Sequence, residues 1–335
     1  MPAPGVASSI LDRRLVFVTG KGGVGKTSVA AALALLGAKL GKRTLVCEMD
    51  AKGSLAATFD ASPLGFEPRE MSPNLFAMAM NTEDALREYL RLFVKVPLLG
   101  KITPLARTFD FVADAAPGVK EILAVGKLCY EVRERHYDLV IVDAEATGHI
   151  VAQIGAPLVI RDLVKVGLVH DQTEWMLRIL QDPDITGVAV VTTPEEMPVT
   201  ETLVLLERLP RETGVFPTTL VANRVLPALF NRKETAVVER LDLAMPALVG
   251  AAGKGAEAVV AAARITDARR RIGSRHLDTL RAGAGDLPML IVPELFTRAT
   301  GRRVVALVAD ALADELDLTL QFEHPEFNGS SGGAG

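Results

Sequence analysis

The sequence is poor in cysteine and in aromatic residues. Only two of its 335 residues are cysteines, Cys47 and Cys129, and no CxxC pair occurs. A structural zinc site needs about four nitrogen or sulfur ligands, so two separated cysteines predict neither bound zinc nor a disulfide framework. Aromatic residues make up 5% of the chain, with one Trp and three Tyr. This scarcity argues against the stacking platforms that bind single-stranded nucleic acid.

The chain also lacks a strong charge of either sign. Its formal net charge is −4 and its isoelectric point is about 5.8, so no global basic field favours nucleic acid or anionic lipid. A basic segment at 264–281 is interrupted by acidic residues, as is typical of a solvated helix face. We therefore expect no nucleic-acid partner.

No apolar run is long enough to predict a membrane span. A transmembrane helix needs about 18 or more largely uncharged apolar residues, and no such run occurs. We expect no integral membrane segment. The first residues do not combine a basic region with an apolar one, as a signal peptide would. Because the two cysteines are most simply buried and reduced, we expect a cytoplasmic protein.

What the sequence does contain is a regular alternation of apolar runs and helical patterns. The apolar runs predict strands at residues 14–19, 43–49, 75–80, 137–144, 186–192, 218–223 and 288–292. The helical patterns predict helices at residues 26–40, 82–95, 117–135, 198–209, 255–282 and 300–314. This alternation predicts an α/β fold with a doubly wound, mostly parallel sheet covered by helices on both faces.

Two segments of helical character interrupt the alternation, at about 83–135 and 150–182. They either form an inserted helical subdomain outside the sheet or merely cap the sheet. We expect a leader at 1–13 and a single domain at 14–321 that contains both insertions. The polar, Gly-rich and Ser-rich segment 322–335 is expected to be a disordered tail.

A glycine-rich segment, GKGGVGKT at residues 20–27, follows the first predicted strand and opens the first helix. It fits the phosphate-loop pattern GxxxxGK followed by Ser or Thr, in the strand–loop–helix context that the motif requires. Its backbone N–H groups would surround a phosphate at the positive end of the helix dipole. Lys26 would pair with the β- and γ-phosphates of ATP, and the Thr27 hydroxyl would bind Mg²⁺. The candidate nucleotide-binding residues of this loop are Gly20, Gly22, Gly23, Val24, Gly25, Lys26, Thr27 and Ser28.

Lys21 gives the loop a second lysine, which is the mark of the deviant Walker-A ATPases. In that class the lysine reaches across a dimer interface to the partner's nucleotide, where it adds positive charge to the transition state. The alternative is an ordinary surface lysine. The first interpretation predicts a dimer in which Lys21 is catalytic.

Further segments carry a recognisable pattern: EMDAKGSLAATF at 48–59, VDAEATGHI at 142–150, TTPEEMPVTET at 192–202, VANR at 221–224 and VPEL at 292–295. Together with GKGGVGKT they resemble the ArsA family of P-loop ATPases. That family includes the arsenite-pump ATPase and the eukaryotic ATPase that guides tail-anchored membrane proteins. The resemblance runs from residue 14 to about residue 315, and the single-domain length is most similar to the actinobacterial branch. It implies an ATPase that uses ATP and Mg²⁺.

Asp50, by this resemblance, matches the switch I aspartate that positions or activates the attacking water. An acidic residue after a buried strand could instead be a simple cap. The segment here is DAKGS, where the family usually has D-P-A-H followed by Asn or Ser. Gly53 thus replaces a histidine, while Ser54 keeps the last polar position. The resemblance implies that Asp50 is catalytic together with Lys21 and Lys26.

Asp143 follows the apolar run YDLVIVD, as a Walker-B aspartate does, and would hold Mg²⁺ through a water. It opens DAEATGH, which resembles switch II. Glu145 stands where the family commonly has a small residue, and its carboxylate could weaken ATP binding or attract Mg²⁺. His149 is retained, and the resemblance implies a γ-phosphate sensor there, whereas an isolated histidine is more often structural.

The base-binding residues are also assigned by resemblance. Asn223, in LVANR, matches the family residue that recognises adenine through its side-chain amide, and Pro293 and Glu294 match the loop that flanks the base. An asparagine after a strand is also a common turn former.

Two family features are missing from the sequence. Zinc-bridged members carry a CxxC at the dimer interface, and arsenite-pump members carry several thiols, so we expect no zinc and no metalloid transport. The leading interpretation is an ATP-hydrolysing dimeric switch, formed with itself or with an ArsA-family paralogue, that closes helical segments over a protein or apolar client. The alternatives are a nucleotide-locked structural subunit with little hydrolysis and a positioning ATPase of the MinD/ParA kind.

Overall fold

The computed structural model describes residues 10–50, 52–94 and 118–320. Within these ranges eight strands form one sheet. They are β1 (Leu15–Gly20), β2 (Thr44–Glu48), β3 (Arg69–Ser72), β4 (Leu75–Ala79), β5 (Leu139–Ala146), β6 (Thr186–Thr192), β7 (Pro217–Val225) and β8 (Met289–Pro293). Their order is β3-β4-β2-β5-β1-β6-β7-β8. All neighbours are parallel except β3, which pairs antiparallel with β4 at the edge.

Helices cover both faces of this sheet. They are α1 (Lys26–Lys39), α2 (Ser54–Thr58), α3 (Thr82–Tyr89), α4 (Val119–Arg133), α5 (Thr147–Leu163), α6 (Leu168–Leu180), α7 (Glu196–Thr213), α8 (Arg232–Glu239), α9 (Leu241–Ala252), α10 (Gly255–Ala284) and α11 (Gly301–Glu315). A short 3₁₀ helix (Ile10–Asp12) precedes β1, and a π turn (Leu90–Val94) continues α3. The predicted doubly wound, mostly parallel α/β fold is confirmed.

The sheet separates two hydrophobic cores, because successive side chains of a strand point to opposite faces. In β1, Leu15 and Phe17 belong to the core under α4, α5, α6 and α7, while Val16 and Val18 belong to the core under α1 and α11. Every residue of β1 is buried. This burial on both faces explains why its sequence is a continuous apolar run rather than an alternating one.

The helices of the two predicted insertions pack on one another and on the sheet. Segment 83–135 contributes α3, the π turn and α4, and its residues 95–117 lie outside the described residues. Segment 150–182 contributes most of α5 and all of α6. Helix α4 contacts α3, α5 and α6, and both α4 and α5 also contact β1 and β5. These helices therefore form a helical layer of their own, and α4 and α5 in that layer also pack directly on the sheet.

The chain ends are described only in part. The predicted tail at 322–335 and residues 1–9 of the predicted leader lie outside the described residues. Ile10 and Leu11, at the end of that leader, are buried against the core that contains α1. Among the helices that the structure describes, none combines the length and the apolar character that crossing a membrane requires.

Candidate nucleotide-binding site

The loop between β1 and α1 is shaped by glycines in close contact with neighbouring elements. Gly20 has a φ of 152° and Gly25 a φ of 95°, values that residues with a Cβ rarely adopt. A Cβ on Gly20 would lie 2.1 Å from the carbonyl oxygen of Val191 in β6, and a Cβ on Gly25 would lie 2.4 Å from Nδ2 of Asn223. These two positions can hold only glycine if the loop is to keep this path.

The middle of the loop is open. Apart from the glycine itself and its two chain neighbours, no described residue has an atom within 4 Å of the point where a Cβ on Gly22 or Gly23 would stand. Lys26 is half-buried at the start of α1, and its Nζ donates a hydrogen bond to the carbonyl oxygen of Lys21 at 3.3 Å. Burial lowers the pKa of Lys26, and the negative charge of Asp143 acts in the opposite direction. An open backbone turn with a lysine at its base fits the phosphates of a nucleotide.

The magnesium ligands predicted from the sequence, Thr27 and Asp143, lie together. Asp143 is within β5, between Val18 of β1 and Glu48 of β2. Burial raises the pKa of Asp143 to about 6, although a hydrogen bond from Thr27 and the positive charge of Lys26 both act to lower it. A hydroxyl beside a buried carboxylate is an all-oxygen donor set, which is the kind Mg²⁺ prefers. These two residues therefore fit the metal ion that a phosphate loop employs.

Glu48 is a residue of this site that the sequence reasoning missed. It ends β2 and is 2% exposed. Its Oε1 accepts hydrogen bonds from the backbone N–H groups of Ser54 at 2.8 Å and Leu55 at 3.4 Å, at the first turn of α2. Within the described ranges its Oε2 is buried with no hydrogen-bond partner. Gly53 is the N-cap residue of α2 and has no side chain to cap the helix, so the Glu48 carboxylate does this instead. Because Glu48 itself ends β2, it fixes both ends of the loop that carries Asp50.

Asp50 itself lies in that loop, directly after β2. Its side chain is 45% exposed and forms an ion pair with Lys52. The hydrogen bond to Asp50 raises the pKa of Lys52. The carboxylate stands at the same sheet edge as Lys26, as the resemblance implies, and its catalytic role stays a prediction.

The segment that resembles switch II spans the end of β5 and the start of α5. The Thr19 hydroxyl donates a hydrogen bond to the carbonyl oxygen of Glu145 at 3.0 Å, which ties this segment to β1. Oε2 of Glu145 lies 3.7 Å from Nδ1 of His149, one helical turn further on. The His149 side chain is 74% exposed, so this part of the helix faces solvent.

Lys21 forms an ion pair with Glu201 of α7. The other oxygen of Glu201, Oε2, accepts a hydrogen bond from the Thr147 hydroxyl at 3.0 Å. One carboxylate therefore contacts both the glycine loop and the first residue of α5. Glu201 lies in TTPEEMPVTET, a segment to which the sequence alone assigns no role.

The predicted base-binding residues lie together at the ends of β7 and β8. Asn223 is buried and donates from Nδ2 to the carbonyl oxygen of Val24 at 2.8 Å, so it contacts the glycine loop directly. Glu294 donates its backbone N–H to the carbonyl oxygen of Val225 at 3.0 Å, and Pro293 is the register partner of Val225. A cavity of about 640 Å³ lies beside them, lined in part by Val225 and Glu294. Recognition of adenine by Asn223 stays a prediction.

The two cysteines are both buried and both free. Burial raises the pKa of the Cys47 and Cys129 thiols, which makes them poor nucleophiles and poor metal ligands. In the part of the chain that the structure describes, no group of three or more His, Cys, Asp or Glu residues is placed to hold a metal ion. That the protein binds no zinc stays a prediction.

The fold and the loop together define a P-loop nucleotide-binding protein. The family model described as anion-transporting ATPase, that of the ArsA ATPases, matches residues 13–167 and 162–241. The chain therefore belongs to the ArsA family of ATPases, as its motifs predicted.

Three relatives show how the similarity is distributed. The ATPase BagA of Mycobacterium tuberculosis is 33% identical over 235 residues, which are 67% of this chain and 68% of that protein. The ATPase ASNA1 homolog of Entamoeba dispar is 27% identical over 255 residues, 63% of this chain and 76% of that protein. The ATPase get3 of Schizosaccharomyces japonicus is 30% identical over 164 residues, 48% of this chain and 49% of that protein.

Proposed function

We propose that this chain is a cytoplasmic Mg·ATP-dependent ATPase that works as a dimer, with itself or with an ArsA-family paralogue. Hydrolysis is coupled to closure of helical segments over a protein or apolar client. When bound, Mg·ATP supplies the phosphoanhydride bond that is cleaved. The backbone N–H groups of the loop and Lys26 hold the phosphates, Thr27 and Asp143 hold Mg²⁺, and Asp50 orients the attacking water. Lys21 acts on the partner's nucleotide.

The observation that carries the coupling is the path of α5. This helix begins at Thr147, four residues after Asp143, and ends at Leu163. Its 17 residues span about 25 Å. Near its far end, Ile160 lines a second cavity, of about 330 Å³. Helix α5, which contains Pro157, therefore connects the segment after Asp143 to the wall of that cavity.

The chemistry of that second cavity supports an apolar client. Its walls come from α3, the π turn, α4, α5 and α6, and they are mostly apolar, with Gln172 and the ion pair of Glu88 and Lys127 among them. The end of α5 and its connection to α6 expose further apolar residues on either side of Val164, which lines the cavity, with Leu163 73% and Val166 82% exposed. Apolar surface that is continuous with a cavity is typical of a binding site for an apolar partner.

The proposal is tested by measuring nucleotide binding and phosphate release separately. Lys26→Ala should abolish Mg·ATP binding in calorimetry, because the lysine charge and the loop geometry are both required. Asp50→Asn should bind ATP and lose most phosphate release. Lys39→Ala, at the exposed far end of α1, is the matched control and should behave as wild type. Wild-type turnover by Asp50→Asn would remove that aspartate from the mechanism.

A second candidate function is the nucleotide-locked subunit, which the pairing of Glu145 with His149 favours. A carboxylate beside the predicted γ-phosphate sensor would keep His149 from responding to hydrolysis. ATP binding without phosphate release by the wild-type chain would support this alternative. A pull-down with Asp50→Asn, with and without ATP, would identify the client in either case.

A further inference from the structure

Glu201 is placed to control Lys21. The Lys21 ammonium pairs with Oε1 of Glu201, and the Thr147 hydroxyl donates to Oε2 at 3.0 Å. The hydrogen bond from Lys21 lowers the pKa of Glu201 and so favours its ionised form. Among the residues that the structure describes, Glu201 is the carboxylate that Lys21 contacts.

This contact competes with the role proposed for Lys21 between subunits. A lysine that is paired within its own chain has to leave Glu201 before it can reach a partner's nucleotide. The two side chains are 31% and 33% exposed, so solvent still screens the pair and keeps it weak enough to break and reform. Thr147 links the pair to the segment that follows Asp143. A shift at that segment therefore alters the hold on Lys21.

We propose that Glu201 is a positioning residue that holds Lys21 on its own subunit and so opposes ATP-dependent pairing of subunits. The inference rests on the proposed function, since it requires Lys21 to act between subunits. By this proposal, the segment TTPEEMPVTET regulates dimer assembly. It keeps Lys21 out of the subunit interface until the segment after Asp143 moves.

The first test measures subunit pairing with a neutral substitute of the same shape. In the full chain carrying Asp50→Asn, which keeps ATP intact, the monomer–dimer dissociation constant with Mg·ATP is measured by analytical ultracentrifugation. Adding Glu201→Gln should tighten pairing about two- to thirtyfold, because one partly exposed ion pair in each of the two subunits no longer has to break. The gain should shrink as salt is raised, because salt already weakens the pair in the parent.

The matched control is Glu212→Gln on the same helix. Glu212 is exposed and pairs with Arg208 through hydrogen bonds of 2.8 and 3.1 Å, and it lies about 16 Å further along α7 than Glu201. It should leave the dissociation constant unchanged. In a Lys21→Gln background, Glu201→Gln should also have no effect, because Glu201 acts through Lys21. Unchanged or weaker pairing in Glu201→Gln alone would overturn the proposal.

A second measurement does not depend on dimerisation. The rate of reductive methylation of Lys21, followed by mass spectrometry without nucleotide, should rise in Glu201→Gln. It should also rise in Thr147→Val and return to the wild-type rate in Thr147→Ser, which restores the hydroxyl. Equal rates in wild type and Glu201→Gln would show that Glu201 does not hold Lys21. If no variant forms a dimer in the presence of Mg·ATP but the labelling rate of Lys21 still rises in Glu201→Gln, the proposed dimer is contradicted. The contact by which Glu201 holds Lys21 is then supported.

Discussion

Replacement of Gly20 by alanine tests the geometry of the glycine loop most severely. Gly20 ends β1 opposite Val191 of β6, and its Cβ would lie 2.1 Å from the Val191 carbonyl oxygen. That atom is backbone within a central strand, so it cannot move aside as a side chain would. The φ of 152° adds a conformational cost of about 1–3 kcal/mol for any residue with a Cβ. Forcing a methyl group into packed structure adds about 1–3 kcal/mol.

Gly20→Ala should therefore lower the free energy of unfolding by about 2–6 kcal/mol, a large part of the roughly 5–15 kcal/mol that holds a domain together. Gly22→Ala is the control two residues away, where no described residue other than its two chain neighbours has an atom within 4 Å of the new Cβ. It should change stability by at most about 0.5 kcal/mol. Urea denaturation followed by circular dichroism measures both. Equal midpoints for Gly20→Ala and wild type would refute the placement of the loop against β6.

Three further predictions concern other parts of the site. Glu48→Ala should lower the free energy of unfolding by about 1–3 kcal/mol, because two N–H groups at the start of α2 lose their acceptor. Hydrogen exchange at Ser54 and Leu55 should accelerate, and unchanged exchange would contradict the cap. Asn223→Ala should also cost about 1–3 kcal/mol, since it removes the hydrogen bond to the glycine loop, and calorimetry should show weaker ATP binding; unaltered stability would contradict that contact. Metal analysis after dialysis should find no stoichiometric zinc, because two buried thiols cannot supply a four-ligand site; one retained zinc per dimer would reveal a further site.

The central strands and the glycine loop could be predicted because their signals are local. A buried parallel strand is a short apolar run, and β1, β2 and β5 each have one. The edge strand β3 could not be found this way, because its sequence REMS is polar and only partly buried. Helix α9 contains Pro246, which interrupts the helical pattern. The preceding helix α8 has a capping box of Asn231 and Glu234, a usable signal that the prediction did not employ.

Within the site, residues that belong to contiguous motifs could be assigned and residues that act across the fold could not. Lys26 and Thr27 are defined by their spacing in one loop. Glu48 was missed because its function depends on α2 folding back over the end of β2. Glu201 lies 180 residues from Lys21, and only the order of strands in the sheet brings α7 beside the glycine loop. Such contacts are set by tertiary packing, which a single sequence does not display.

The most direct test of the central claim mixes two nearly inactive variants. If Lys21 acts on the partner's nucleotide, a heterodimer of Lys21→Ala with Asp50→Asn has one site with both residues intact and one site that lacks both. Free subunit exchange makes half the dimers mixed, so phosphate release should recover to about a quarter of the wild-type rate. Confirmed heterodimers with no recovered activity would contradict the claim, because a lysine that acts only within its own subunit leaves one lesion in every site.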